Sequence, residues 1–427
     1  MTDTTKTLQT GRRTLLAGAA TSLLAPRLAR AQTPITLTMA VWAAQAEEEA
    51  FNAAIARYKA VRPEVTIKLE VSGNAGQTYQ NVDTRLAGRQ GPDLFRVQYQ
   101  QVGRYASARA IIDLTQHVAS EAADFGPAFW NAASYKGRQF AMPHHTDTFA
   151  VYYNREMFQK IGVEPPTTLD KAWTWQQFIA IARDLKAKAG APYGFAMGWQ
   201  NAAYRWLPFL YQHGGTLLSP DLTKSTITAR EGIETIAWTQ SWFKEGLVPP
   251  STSVKSSEQP QALFANGTVG MIMAGDWQIP FLTKNMTKYN WGVTFMPRDV
   301  AMASDLGGNC FAITRDSKNQ DAAADFLKFL TNTANMKDFI SSAQFLPVRK
   351  SLMTGPLPYA LRPEAMDVFV RQSATIPDHL VSTVTLPNFS KINAALTDQL
   401  DLAFTSGQTA EATARAIDEQ VAAVLAA

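Results

Sequence analysis

His144, His145 and Asp147 fall within one apolar run, MPHHTDTFAVYYNREMF (residues 142–158). Imidazoles beside a carboxylate are the groups of metal sites and of acid–base pairs. Successive side chains on extended backbone point to opposite faces, so the two histidines are expected to diverge. His145 and Asp147 share a face, but two ligands are fewer than a zinc site needs. The other histidines are His117, His213 and His379, and the single cysteine is Cys310. One cysteine allows no disulfide within the chain and no paired-thiolate metal site. The phosphate-loop, G-x-S-x-G, H-E-x-x-H and dinucleotide fingerprints are absent. No metal, cofactor or catalytic residue is therefore expected. The one alternative with catalytic content is a carboxylate pair, Asp147 with Asp276, of the kind that hydrolyses glycosidic bonds.

The aromatic residues point elsewhere. Ten tryptophans occur, and several stand beside polar groups. GWQNAAYRW (residues 198–206) offers Trp199, Tyr204 and Trp206; GDW offers Asp276 and Trp277. A flat aromatic face covers the C–H surface of a sugar ring, while carboxylates, amides and arginines bond its hydroxyls. Trp173, Trp175, Trp238 and Trp242 lie on helical stretches and read as core.

The elements that must position these groups alternate. ITLTMAVW (Ile35–Trp42) reads as a strand, and Phe51, Ile55 and Tyr58 share one face of a helix that stops before Pro63. EVTIKLEV is a second strand, a helix runs over residues 79–87, and DLFRV is a third strand. That β-α-β-α-β order predicts an α/β fold with mostly parallel sheets flanked by helices. Ligands of such sheets sit beyond the carboxyl ends of strands, which brings in Trp42 and a loop at residues 98–101, including Gln100. Further on, TVGMIMAGDW reads as a buried strand running into a turn. DAAADFLKFLTN reads as a helix with Phe326, Leu327 and Leu330 inward, and the last forty residues as two helices broken at Ser406-Gly407. No repeat and no low-complexity tether separates these parts.

Composition excludes one class of partner. The chain has 427 residues, 46% apolar and 18% charged, with a net charge of +4. Residues 1–31 carry five basic residues and one acidic, leaving 35 of each sign in the remainder. A formally neutral body gives no electrostatic case for nucleic acid. The basic start, the short apolar stretch from Leu15 and Ala29-Arg30-Ala31 read as an export leader over residues 1–31. Arg12-Arg13 followed by Thr14-Leu15-Leu16 resembles a twin-arginine signal, with a general secretory signal as the alternative. No cysteine follows that would take a lipid anchor, and no run is long enough to span a membrane. A soluble periplasmic monomer is expected.

Several stretches, in order, resemble the family 1 extracellular solute-binding proteins of ABC importers. They are GPDLFRV, KGRQFAMPHHTDTFAVYYNREMFQKIGVEPPTTLDKAWTWQQF, ALFANGTVGMIMAGDW, GGNCFAITRDSKNQDAAADFLKFL, LPVRKS and SGQTAEATARAIDEQVAAVL. The likeness covers about residues 35–425. It implies the two-lobed type II periplasmic-binding-protein fold, with a sugar, oligosaccharide or polyol bound between lobes and passed to a membrane permease. The lobes would comprise residues 33–144 plus 298–335, and 145–297 plus 336–427, with 143–148 a crossing between them. The resemblance makes Trp277 a stacking aromatic and places Tyr204 and Trp206 in a block that supplies aromatics. It also brings Gly307 and Gly308 close to ligand and gives Arg349 ligand oxygens to bond. Gln45 and the glutamines at 98–101 stand where some relatives carry charges, and neutral amides favour an uncharged carbohydrate.

Overall fold

The computed structural model describes residues 1–5, 34–200, 202–256 and 258–427. From residue 6 on, the expected leader lies outside the described residues, as does Asn201 of the aromatic block.

The first sheet grows from the strands read in the sequence. β1 (Ile35–Trp42) runs parallel to β2 (Val65–Ser72) on one side and to β3 (Leu94–Gln98) on the other. The helix Gln45–Val61 buries Ala50, Phe51, Ala54 and Tyr58 and ends just ahead of Pro63. Proline stops it because the preceding residue is pushed away from helical backbone. The helix Ala75–Ala87 is capped by Asn74, whose side chain accepts from the Gln77 amide at 2.9 Å. Residues 99–107, expected to open as a loop, form the helix Tyr99–Ser107 directly after β3. Its buried Tyr99, Val102 and Tyr105 recur at three-residue spacing, which gives one apolar helical face.

A small hairpin, β4 (Ser134–Tyr135) and β5 (Arg138–Gln139), precedes β6 (Met142–His145). β7 (Phe149–Asn154), β8 (Tyr193–Met197), β9 (Val269–Gly275) and β10 (Trp291–Thr294) make a second sheet in the order β10-β7-β9-β8. Only β8 and β9 run parallel there, and β10-β7 and β7-β9 are antiparallel, so the expected mostly parallel sheets are in fact mixed. The chain then returns: β11 (Asn309–Ile313) inserts antiparallel between β3 and β6, completing the first sheet as β2-β1-β3-β11-β6. All seven residues of β9 are buried, as a central strand covered on both faces requires.

Three passages join the sheets. Residues 146–148 lead out of the first, residues 295–308 lead back, and the chain near Leu346 pairs beside Thr146 through reciprocal amide bonds of 3.0 Å. The expected boundary at residue 335 needs correction. Met336, Phe339, Ile340, Phe345 and Leu352 pack with Phe51, Phe311 and Phe326 in the core of the first sheet. The apolar face of the helix Thr333–Ala343 continues that core, so the chain leaves the first sheet later than its sequence indicated. The last two helices, Phe389–Thr405 and Ala410–Ala426, break at Ser406-Gly407 and pack on the helix Arg230–Lys244.

Candidate functional site

Strand direction brings the chemistry to one level. Register sets Gln98 against Asn309, Asn309 against His145, Phe149 against Gly275 and Met197 against Met273. The carboxyl ends of β3, β6, β8 and β9 and the starts of β7 and β11 therefore lie along a common edge. Residues 146–148 stitch the two sheets together there. Such an edge is where open α/β sheets bind ligands.

Three aspartates gather on this crossing. Thr148 is the pivot: its hydroxyl lies 2.5 Å from Ser304 Oγ and 3.0 Å from the Asp305 carbonyl, and its amide donates to Asp276 Oδ1 at 3.4 Å. Asp305 Oδ1 accepts from the Phe149 amide at 3.0 Å. Gly307 returns its amide to the Asp147 carbonyl at 3.2 Å and lies so close to the Asp147 carboxylate that a Cβ would overlap it. Gln100 reaches across and donates to the Leu306 carbonyl at 2.7 Å. Asp276 Oδ2, Asp305 Oδ2 and Gln100 Oε1 are buried without a hydrogen-bond partner among the described residues.

Arg205 is the cation of this cluster. It follows β8, donates to the Gly198 carbonyl at 2.5 Å and is 6% exposed. Its guanidinium lies 4.9 Å from the Phe149 ring and 5.3 Å from the Trp277 ring, within cation–π range. Trp277 itself lies back over Gly275, where any side chain would collide with the indole. The glycine of GDW is thus what lets the tryptophan lie flat. The indole is partly buried and touches the apolar clusters of both sheets.

Burial and charge decide the protonation of the aspartates. Asp147 is pushed up to about 7, chiefly by burial and then by Asp305, while Arg205 and Arg96 pull it down. Burial, then Asp147, holds Asp276 well above the carboxylate range. Burial raises Asp305 too, against Arg205. Folded Asp147 therefore keeps its proton to a higher pH than the unfolded carboxyl does. This stabilisation is complete below about pH 4 and is lost as pH rises to about 7. An Asp147→Asn variant should show a shallower fall in melting temperature than the parent across that window. An identical slope would contradict the assignment.

On the first sheet, Arg96 donates to the Trp42 carbonyl at 2.6 Å, pairs with Glu47 at 2.7 Å and lies 4.7 Å from the Trp42 ring centroid. Trp42 meets the edge of Tyr79 at 5.7 Å. The indole at the end of β1 is thereby fixed in orientation by a buried ion pair.

The two histidines meet instead of diverging. Their Nδ1 atoms lie 3.0 Å apart, and His145 Nε2 is 3.1 Å from Arg96 Nη2. The cause is a bulge: Asn309 pairs with His145 while Cys310 pairs with Pro143, leaving one extra residue on β6. Burial, and then Arg96, keeps both rings well below the ordinary histidine range. No cluster of three or more metal-ligating side chains occurs among the described residues.

The remaining sites divide. Asp147, Asp276, Trp277, Gln100 and Gly307 belong to the crossing, joined by Tyr204, whose ring lies 5.7 Å from the Arg205 guanidinium. Gly308 is there for a different reason from the one expected. With φ +91, its missing side chain admits the His145 carbonyl and Thr146 backbone, so the glycine serves the crossing itself. Trp199 is buried near Phe404, at 6.0 Å. Gln45 is exposed on the first turn of its helix, bonded to Glu49 at 2.9 Å. Two assignments are corrected. Trp206 is fully buried, with its indole N–H donated to Thr239 at 3.2 Å, and is a core residue. Arg349 is 3% exposed; its three nitrogens bond the Thr331 carbonyl, Asp124 and Glu121, and it lies over Phe125. That arginine is buried, its charge is matched by two carboxylates and it ties loops together. Conversely, Arg205 and Asp305 went unread, although Arg205 stands inside the aromatic block and Asp305 two residues before Gly307.

Two α/β sheets with a polar and aromatic cluster on their shared edge define a two-lobed binding protein. The chain belongs to the bacterial extracellular solute-binding protein family, whose model it matches over residues 43–337. It is 25% identical over 257 residues to a putative binding protein of Brucella abortus, covering 57% of this chain and 61% of that one. It is 24% identical over 292 residues to the sn-glycerol-3-phosphate-binding periplasmic protein UgpB of Escherichia coli K12, covering 64% of each. The matches thus span under two thirds of these relatives. In fold it is similar to the GacH receptor of Streptomyces glaucescens, solved unliganded and with acarbose. The TM-score there is 0.81 at 21% identity, covering 92% of this chain and 99% of the receptor.

Proposed function

We propose that this chain captures a sugar, oligosaccharide or polyol between its two sheets and delivers it to the permease of an ABC importer. In this reading residues 1–31 direct export to the periplasm, by the twin-arginine route, and the mature protein acts as a monomer without cofactor or lipid anchor. The revised lobes are residues 33–144 plus 298–352 and residues 145–297 plus 353–427. The observation that carries the reading is Trp277. It lies flat on Gly275 beside Arg205 and the three aspartates, so an aromatic face adjoins groups that bond hydroxyls. Named relatives fit: UgpB for sn-glycerol 3-phosphate, GacH with acarbose. Contacts from both lobes would favour the closed arrangement, which a permease can recognise.

A thermal-shift panel of sugars, polyols and their phosphates tests it. Stabilisation by at least one member is expected; stabilisation by none would contradict it. Trp277→Ala should weaken binding of that ligand about 10- to 100-fold, and, because the indole packs on both apolar clusters, it should also lower the ligand-free melting temperature without abolishing folding. Unchanged affinity in calorimetry would remove Trp277 from the site. The ligand should be recovered unaltered. Turnover abolished by Asp147→Asn or Asp276→Asn would replace this reading with glycoside hydrolysis.

A further inference from the structure

Resting on that reading, we infer that Gly103 is a positioning residue for capture: it seats a turn of the other lobe, residues 385–387, and so sets Gln100 against the Tyr204–Arg205 side of the site. Gly103 belongs to the first lobe and residues 385–387 to the second, and both lie outside the three passages between the sheets. A Cβ on Gly103 would stand 3.0 Å from Pro387 Cα, 3.1 Å from the Thr385 carbonyl oxygen and 3.2 Å from the Pro387 nitrogen, all of them backbone. Around this point the helix Tyr99–Ser107 touches the helix Phe389–Thr405, and the helix Pro127–Ala132 touches the helix Asp378–Val384. Val102 and Ala132 from one lobe join Val381, Val384 and Phe389 from the other in one apolar cluster. A groove of about 350 Å³ runs beside it, lined from the first lobe by Asn131 and Lys136 and from the second by Ser382 and Thr385.

The helices that meet at this seam also carry the site. Gln100 lies one turn before Gly103, donates to the Leu306 carbonyl at 2.7 Å and keeps its own oxygen buried without a partner among the described residues. Asn393, one turn into the helix Phe389–Thr405, accepts the Tyr204 amide at 2.8 Å, and Tyr204 adjoins Arg205. Seating the turn on Gly103 therefore sets how far Gln100 stands from Tyr204 and Arg205.

Neither side of the seat gives way locally. Asp83 holds the Gly103 helix to its own lobe, accepting from Arg104 at 2.5 Å and from the Tyr105 hydroxyl at 2.8 Å. His379 holds the opposing helix, 2.7 Å from the Tyr211 hydroxyl and 3.1 Å from the Ser219 carbonyl. The Phe389 amide closes the turn on the Leu386 carbonyl at 2.9 Å. Only glycine permits so close an approach. A long side chain at 103 is accommodated by parting the lobes, because packed interfaces switch between discrete arrangements. A ligand held by both lobes then loses apparent affinity in proportion to the closed fraction.

Spin labels on Lys136→Cys and Ser382→Cys, exposed positions on opposite sides of the groove, measure the seam. Cys310 is buried and its thiol is pushed well up by burial, so it stays unlabelled. The labelled parent is expected to show the short distance of the seated turn, and Gly103→Gln should lose that population while keeping a cooperative melt. Calorimetry with maltose, glucose, ribitol and glycerol 3-phosphate should find at least one that binds the parent, and Gly103→Gln should bind it about tenfold or more weaker. An unchanged distance or an unchanged affinity in folded Gly103→Gln overturns the inference and leaves the sugar-or-polyol reading intact. Binding of none of the four by the parent overturns that reading and, with it, the part given to Gly103 in capture. Where Gly103→Gln does not fold, the labelled parent decides. A distance that the bound probe shortens upholds the seam, and one that it leaves unchanged overturns the inference.

Discussion

Replacing Arg205 by methionine is expected to cost about 3–5 kcal/mol of stability, the range for removing one partner from a buried charge cluster. The methionine would fill much of the same space against Phe149 and Trp277, so the loss isolates charge and hydrogen bonding from packing. Arg205 is buried, bonds the Gly198 carbonyl at 2.5 Å and exerts the strongest cationic pull on Asp305 and Asp147. Burial pulls its own affinity for a proton down, yet the Tyr204 phenol and the two aspartates raise it above the ordinary arginine range. Without it those carboxyls would lose their main counter-charge in a desolvated crossing, with Arg96 acting on Asp147 and the Phe149 amide on Asp305. A double variant, Arg205→Met with Asp305→Asn, should lose less than the sum of the two single changes, because the pair is coupled. Urea unfolding of the four proteins measures this. A single variant within about 1 kcal/mol of the parent would contradict the role given to Arg205.

Gly308→Ala is the second large effect. At φ +91 the position disfavours any side chain, and a Cβ would run into the His145 carbonyl and the Thr146 backbone. Neither neighbour can move without breaking the crossing, where Thr146 exchanges two 3.0 Å backbone bonds with Leu346. A loss of about 3 kcal/mol or more is expected, combining backbone strain with overpacking. Gly137→Ala provides the control. Gly137 has φ +72 with nothing near its missing side chain, so strain alone acts and about 1 kcal/mol is expected. Equal losses at the two positions would show that the close approach at Gly308 is unimportant.

Local pattern carried much of the fold into view. The alternation in EVTIKLEV, the stripe of Phe51 and Tyr58, the buried run of TVGMIMAGDW and the inward Phe326, Leu327 and Leu330 all formed the elements that their periodicity implied. The candidate site was legible where it depends on residues close in sequence, as with Asp276 and Trp277 of GDW, which fold onto the crossing. It was hidden where distant segments decide. Arg349 looked available until folding brought Glu121 and Asp124, more than 200 residues away, against it. The meeting of His144 and His145 turns on one extra residue in β6, which only the register with β11 reveals. Arg205 was overshadowed by its aromatic neighbours, and Asp305 sits in irregular chain with no periodicity to mark it. The helix Thr333–Ala343 could have capped either sheet by pattern alone; its contacts with Phe51 and Phe311 settled which.

The structure of the chain bound to the sugar or polyol that stabilises it most is the most direct test of the whole account. It should show the ligand at the common edge of the two sheets, one face against Trp277 and hydroxyls donated to Asp147, Asp276 or Asp305. A ligand bound away from that edge, with the Trp277 indole and the three aspartates untouched, would contradict it.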